Sequence, residues 1–366
     1  MEKVAIERCD AYDVELLKIL LDSLFQKISF LPISRAKVLI KPNLLISKTP
    51  EKAVTTHPAI IRAIAELLKD HSCTISVGDS PGFGSTYKVL NISGIMGVIE
   101  QLGLTISSFD SNIIKKTNGI SPYREFLFGD DPEKYDIVIN VPKLKTHGMM
   151  GMTLGVKNTF GFIHAFEKAK WHFRAGQDRS LFASILVDIH HIVKPSVTVL
   201  DGIVGMDGDG PSSGRPRNLN ILGVSKNAFI LDDCIEKIVH LPHPTPITHL
   251  AGLHGLLPDY EITCSNLPEI DDFLLPKTMD TDWNIPYFAK RLLKNVFTKK
   301  PKIRKKICKT CGVCTKVCPA NALSMRGKGP LFDYTQCIRC YCCQEMCPEG
   351  AIVLKEPLIR KVAKVF

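Results

Sequence analysis

The sequence predicts an α/β protein with a mainly parallel sheet and flanking helices, followed by a small α+β unit rich in cysteine. Three observations lead there. Apolar stretches with strand alternation take turns with stretches of helical periodicity from the first residues to about residue 240. Nine of the thirteen cysteines fall within residues 308–347. The 366 residues exceed a typical single domain, and 45% hydrophobic with 23% charged residues is the composition of a folding chain, which excludes a disordered one. The expected division is an α/β ligand-binding module over 1–280, a basic linker with helical periodicity over 281–307, the cysteine unit over 308–354 and a basic tail over 355–366.

Residues 4–8 alternate as a strand does, and 14–28 repeat apolar positions at helical spacing. A short apolar strand over 37–40 precedes a helix over 57–68 that starts near Thr56 and Pro58, and a strand over 74–77 precedes a helix over 87–102. Further strands are expected at 104–109, 136–141, 197–200 and 220–224, with helices at 178–193 and 231–240. In open sheets of this kind ligands bind beyond the carboxyl ends of the strands, so the segments that follow strands hold the candidate residues.

Four such segments stand out. Lys41-Pro42-Asn43 ends the second strand and Thr55-Thr56-His57-Pro58 leads into the next helix. A cation and an amide beside a helix start make Lys41, Asn43, Thr56 and His57 candidates for binding an anion, while the plainer role of Thr56 is to cap the helix. The segment from Gly78 to Thr86 is small and polar and lets backbone amides approach a ligand, with Asp79 and Ser80 as contacts. It lacks both the Lys-Ser/Thr ending of a P-loop and the G-x-G-x-x-G of dinucleotide sites. After an apolar strand, Lys143, Lys145 and His147 alternate on an extended segment and would present three basic groups on one face. They are the catalytic candidates: the lysines to hold an anion, the histidine to titrate near neutrality and move a proton. Residues 201–211 read as a flexible loop in which Asp201, Asp207 and Asp209 suit a hard cation. It is not an EF-hand loop, because the twelfth position from Asp207 is Asn218.

In this order the blocks Lys41-Pro42-Asn43, Thr55-Thr56-His57-Pro58, Gly78-Asp79-Ser80-Pro81, Val141 to His147 and Asp201 to Pro211 resemble the signature blocks of the "domain of unknown function 362" family, over about residues 37–240. The resemblance implies a module and no particular reaction. His240, His243, His249 and His254 crowd fifteen residues at irregular spacing and read as packing or capping groups, and His190 and His191 as scaffold in a helix with Ile185, Leu186 and Ile189.

The cysteine unit is more specific. Cys308-x2-Cys311-x2-Cys314-x3-Cys318-Pro319 recurs 29 residues later as Cys337-x2-Cys340-x2-Cys343-x3-Cys347-Pro348. This is the spacing of two-cluster bacterial ferredoxins, in which the fourth cysteine of each run serves the other cluster. Two [4Fe-4S] clusters are therefore expected, one on Cys308, Cys311, Cys314 and Cys347, the other on Cys337, Cys340, Cys343 and Cys318. Zinc sites use two separated cysteine pairs more often. Cys342 is left over, as are Cys9, Cys73, Cys234 and Cys264.

Net charge is +10, and residues 290–306 hold nine Lys or Arg and no acid. Phe288, Leu292 and Val296 stand at i, i+4 and i+8, so a helix there would be amphipathic and basic. Such a helix suits an acidic redox partner, peripheral contact with a membrane, or packing between domains. No nucleic-acid module accompanies the charge, so nucleic acid is not expected. The sequence shows no secretion signal and no run of about 18 apolar residues, which makes the reducing cytoplasm the expected compartment. The functional expectation is an iron-sulfur protein, an oxidoreductase or an electron-transfer component, that passes electrons between its clusters and an α/β domain holding a small anionic ligand. The rival is a non-redox protein whose clusters are structural, sensing or delivered, with a large domain that binds a partner or transfers a group.

Overall fold

The computed structural model describes residues 1–267, 270–276, 298–327 and 329–355. In chain order the α/β domain runs β1 (Glu2–Arg8), α1 (Val14–Lys27), β2 (Lys37–Pro42), α2 (Pro58–Asp70), β3 (Thr74–Gly78), α3 (Thr86–Ile92), α4 (Ile95–Leu102), β4 (Thr105–Ser107), β5 (Ile113–Lys116), β6 (Glu125–Phe128), β7 (Ile137–Val141), β8 (Lys143–His147), β9 (Gly151–Thr153), α5 (Gly155–Asn158), α6 (Ala165–Ala175), α7 (Arg179–Val193), β10 (Val197–Asp207), β11 (Arg215–Ser225), α8 (Ala228–Ile238), α9 (Pro246–Leu253) and β12 (Tyr260–Cys264). The cluster-binding domain follows with β13 (Lys300–Ile303), α10 (Val313–Lys316), β14 (Leu323–Arg326), β15 (Gly329–Phe332), α11 (Cys342–Glu345) and β16 (Ile352–Lys355).

The main sheet has the order β12-β1-β11-β10-β7-β2-β3-β4, with β8 on β10 and β9 on β8. It is mainly parallel, and its antiparallel pairs are β1 with β11, β10 with β11 and β8 with β9. Both faces are covered, as the alternation within β2 shows. Val38 and Ile40 pack with Leu17, Leu21, Ile60 and Ile64 of α1 and α2, whereas Leu39 packs with Phe182, Ile185 and Ile189 of α7. Strands covered on both sides read as unbroken apolar runs, and all five residues of β7 are buried.

Three expectations need correction. The helix expected over 87–102 is two helices, because Gly94 adopts φ 78 and interrupts the ladder. Residues 201–207 are not a loop but the end of β10, while residues 143–147, extended as expected, form β8. Pro142, which has no N–H to give a ladder, separates β7 from β8, and β10 is long enough to pair first with β7 and then with β8, Asp201 lying opposite Lys143. The cluster-binding domain begins before residue 308, since β13 pairs antiparallel with β16 and takes residues 300–303 out of the linker. The amphipathic stretch at 285–297 and the tail beyond residue 355 lie outside the described residues.

Candidate functional site

The cluster-binding domain repeats itself in backbone as well as in sequence. Left-handed φ values at Thr310, Gly312 and Asn321 recur 29 residues on at Arg339, Tyr341 and Gly350, and α10 recurs as α11. Cys308, Cys311, Cys314 and Cys347 line one cavity with Ile303, Val313, Pro330 and Ile352. Cys318 lies within electrostatic reach of Cys337 and Cys340, and Cys343 within reach of all three. The amides of Ala322 and Ala351 point at Cys318 Sγ and Cys347 Sγ, at 3.3 and 3.2 Å. Thiols in apolar cages, with N–H groups aimed at sulfur, are the donor set and surroundings that a [4Fe-4S] cluster requires.

The second half of this domain sits on the α/β domain. Gln344 Nε2 donates to Asp209 O at 3.3 Å, Gln177 Nε2 donates to Ile338 O at 3.1 Å, and Ser212 Oγ and Lys48 Nζ donate to the Glu345 and Pro348 carbonyls. Met346 packs beside Leu45 and Phe83.

Beneath α11 four lysines gather, Lys41 from β2, Lys145 from β8, Lys157 from α5 and Lys168 from α6. Lys41 Nζ is 2.8 Å from Asp79 Oδ1, with both groups buried, and Leu44 N donates to Asp79 Oδ2 at 2.8 Å. Gly161 lies against this pair so tightly that a Cβ there would stand 1.9 Å from Asp79 Oδ1, and glycine is required. Lys145 is 1% exposed and donates to the Val54 carbonyl; Lys168 donates to the Ser80 carbonyl. Lys157 stands 5.7 Å from the Phe160 ring centre. Lys145, Lys157 and Lys168 form no ion pair among the described residues, and the carboxylates that act on them are Asp79 and Glu345. Two buried lysines, Lys41 and Lys145, and two half-buried ones, Lys157 and Lys168, thus share two carboxylates. Burial draws the Lys168 pKa down to about 7 and the Lys145 pKa well below its ordinary value. Glu345, carried in from the cluster-binding domain and 2% exposed, reaches within 3.4 Å of His147 Nε2, and burial raises its pKa to about 7. Among the described residues, Thr55 Oγ1, Asn43 Oδ1, His172 Nδ1 and Gln344 Oε1 are buried without a hydrogen-bond partner.

The candidates from the sequence divide accordingly. Lys41, Asn43, Asp79, Ser80, Lys145 and His147 come together here. His147 is not a group that titrates near neutrality. Its Nδ1 accepts from Met149 N and Met150 N at 3.1 and 3.2 Å, and desolvation, aided by Lys157, keeps the ring neutral, which leaves Nε2 as the donor. Lys143 belongs to a separate and fully neutralised network. Its Nζ lies 2.9 Å from Asp201 Oδ2 and 2.8 Å from Tyr12 OH, Tyr12 donates to Asp201 Oδ1 at 2.8 Å, and His57 N donates to Asp201 Oδ2 at 2.8 Å. His57 stacks on Tyr12 at 3.6 Å and accepts from Ala59 N, so it caps α2 in place of Thr56. Thr56 instead donates to Val141 O at 2.7 Å. The three aspartates do not converge on a cation. Asp201 serves Lys143, Asp207 is bound by Arg215 and Arg217, and the Asp209 carbonyl accepts from Gln344. Among the described residues no group of three or more His, Cys, Asp or Glu gathers round a single metal ion, His240, His243, His249 and His254 included.

Sequence reading missed Lys157, Lys168, His172 and Glu345. Of these only Glu345 gave a signal, as an acid placed between Cys343 and Cys347 where the first repeat has Lys316.

Comparison with known proteins accounts for both parts. The family model "Domain of unknown function (DUF362)" matches residues 38–236, and a 4Fe-4S dicluster domain matches residues 300–348. The chain belongs to the DUF362 family. This DUF362 chain is 32% identical over 268 residues to the thylakoid-associated protein sll1697 of Synechocystis sp., covering 71% of the chain and 82% of that relative. Among solved structures it is similar to the lactate racemase apoprotein from Thermoanaerobacterium thermosaccharolyticum at 10% identity and a TM-score of 0.41, covering 64% of this chain and 57% of that one. The chain therefore spans less than two thirds of that protein. Among the described residues no helix is long and apolar enough to cross a membrane.

Proposed function

We propose that this DUF362 chain is an iron-sulfur redox protein, in which the docked cluster-binding domain exchanges single electrons with a small anionic ligand held by Lys145, Lys157 and Lys168. The observation that carries the reading is the surplus of lysines over carboxylates, two buried (Lys41 and Lys145) and two half-buried (Lys157 and Lys168), against the half of the domain that holds Cys337, Cys340 and Cys343. Lysines drawn out of water need counter-charge to stay protonated, and Asp79 with Glu345 supplies only half of it, which leaves room for an anion. Two [4Fe-4S] clusters, when bound, supply one-electron chemistry. The residues of the chain do the rest. The lysines hold the anion and stabilise negative charge that develops on it. His147 donates a hydrogen bond through Nε2, fixed in direction by the two amides on Nδ1. Lys168, with its pKa near 7, is suited to hand over a proton. The docked domain keeps bulk water out, and a reducing compartment such as the cytoplasm suits a cluster whose ligand Cys311 is exposed.

An anaerobic redox titration followed by electron paramagnetic resonance tests this, on protein of verified iron and sulfide content, with citrate and inorganic phosphate as probes. At least one anion should shift the cluster signals of the natural chain and leave those of Lys157→Met unmoved. Clusters that bind yet cannot be cycled would remove the electron-transfer role and leave a structural or delivery role.

A further inference from the structure

The two halves of the cluster-binding domain face different surroundings. Four hydrogen bonds to the α/β domain involve Ile338, Gln344, Glu345 and Pro348, all in the second half. In the first half, residues 298–327 hold nine Lys or Arg and no acidic residue. Lys302, Arg304, Lys305, Lys306, Lys309 and Lys316 are exposed, and none of these six forms an ion pair among the described residues.

The cage of Cys308, Cys311, Cys314 and Cys347 opens within this block. Cys311 is exposed, and Lys309 and Met325 line the cavity. Ile307, beside Cys308, is 40% exposed, Met325 38%, and Leu331, beside the lining Pro330, 53%. An open cage, apolar side chains at its mouth and cations flanking it are the parts of a transient electron-transfer interface. Charge steers the encounter, and apolar contact holds it briefly.

We propose that this face docks an acidic one-electron carrier protein. The proposal rests on the redox reading given above and adds the point of entry or exit. The carrier is oxidised by one electron as the cluster on Cys308, Cys311, Cys314 and Cys347 is reduced by one, or the reverse, with no bond made or broken. A bilayer of anionic lipid would share the preference for these cations. It would gain nothing from the exposed Cys311 and the open cage at their centre, and that favours the protein partner.

The test uses the full chain with its clusters, a plant-type [2Fe-2S] ferredoxin with an acidic surface as probe, and the triple variant Lys305→Glu, Lys306→Glu, Lys309→Glu. Calorimetric binding should be measurable at about 20 mM salt and weaken at least about tenfold by about 300 mM. The variant, with its iron content checked, should lose at least about tenfold in affinity and in the rate of electron transfer from the ferredoxin. The methyl viologen radical cation should reduce the variant as fast as the natural chain or faster. Lys316→Glu provides a milder second variant in case the triple one fails to hold its iron. Equal binding of the ferredoxin by natural and variant chains, or binding indifferent to salt, overturns the docking surface. So do phosphatidylglycerol vesicles, if they bind in a way the variant loses while the ferredoxin does not bind at all. Failure of the viologen to reduce the natural chain removes the redox reading instead, and the calorimetry then decides the docking surface alone.

Discussion

Lys316 and Glu345 occupy equivalent places, the last residues of α10 and α11, 29 residues apart. Lys316 is exposed among cations; Glu345 is buried beside His147 and within the field of Lys145 and Lys157. Thr315 and Gln344 differ in the same way. Thr315 Oγ1 turns back onto the Gly312 carbonyl, whereas Gln344 reaches the Asp209 carbonyl of the other domain. The backbone around the two is the same, down to the left-handed residues ahead of each helix. Holding a cluster therefore dictates backbone and cysteine spacing and leaves the outer side chains free to follow whatever each half meets.

Exchange between the halves makes that difference measurable. Glu345→Lys installs the residue of the first half in the second, and puts a fifth lysine beside Lys41, Lys145, Lys157 and Lys168. It should cost about 3–5 kcal/mol in denaturant unfolding, with increased hydrogen exchange at residues 209–213. Unchanged stability would mean that the two domains do not hold each other as the contacts indicate. Gly312→Ala places a Cβ at φ 74, where little else approaches it, and should cost about 1 kcal/mol through backbone conformation alone. The second half tolerates Tyr341 at this position because the ring is half-buried and its hydroxyl donates to Lys299 O at 3.0 Å. Lys316→Glu is the counterpart of the first exchange and should stay within about 0.5 kcal/mol, since the side chain meets solvent. A large loss of thermal stability in that variant would show that the first half has a structural neighbour of its own.

Legibility from sequence follows how local each feature is. The cages were readable because every ligand lies within a short repeat whose spacing is set by the object it wraps. Most strands of the α/β domain were readable from their apolar runs, although the extension of β10 to Asp207 was not. Residues 201–211 carry four glycines and three aspartates, which is turn composition, and pairing with β8 and β11 overrides it. The sequence placed Lys143 and Lys145 together as anion binders. The structure separates them by partner, for Lys143 meets Asp201, 58 residues away, and Lys145 meets a backbone carbonyl.

The sequence by itself determined the alternating α/β pattern, the order of the blocks shared with the DUF362 family, the two cysteine repeats and the basic block around residue 300. All of these are written in spacing and composition over short stretches. Only the tertiary structure decided which lysines are neutralised and which are not, that His147 stays neutral, and that Glu345 enters the lysine cluster from another domain. Whether a charge is compensated depends on carboxylates brought within a few ångströms from anywhere in the chain, and on how much water remains beside them. Neither quantity is expressed by the neighbours of a residue in sequence.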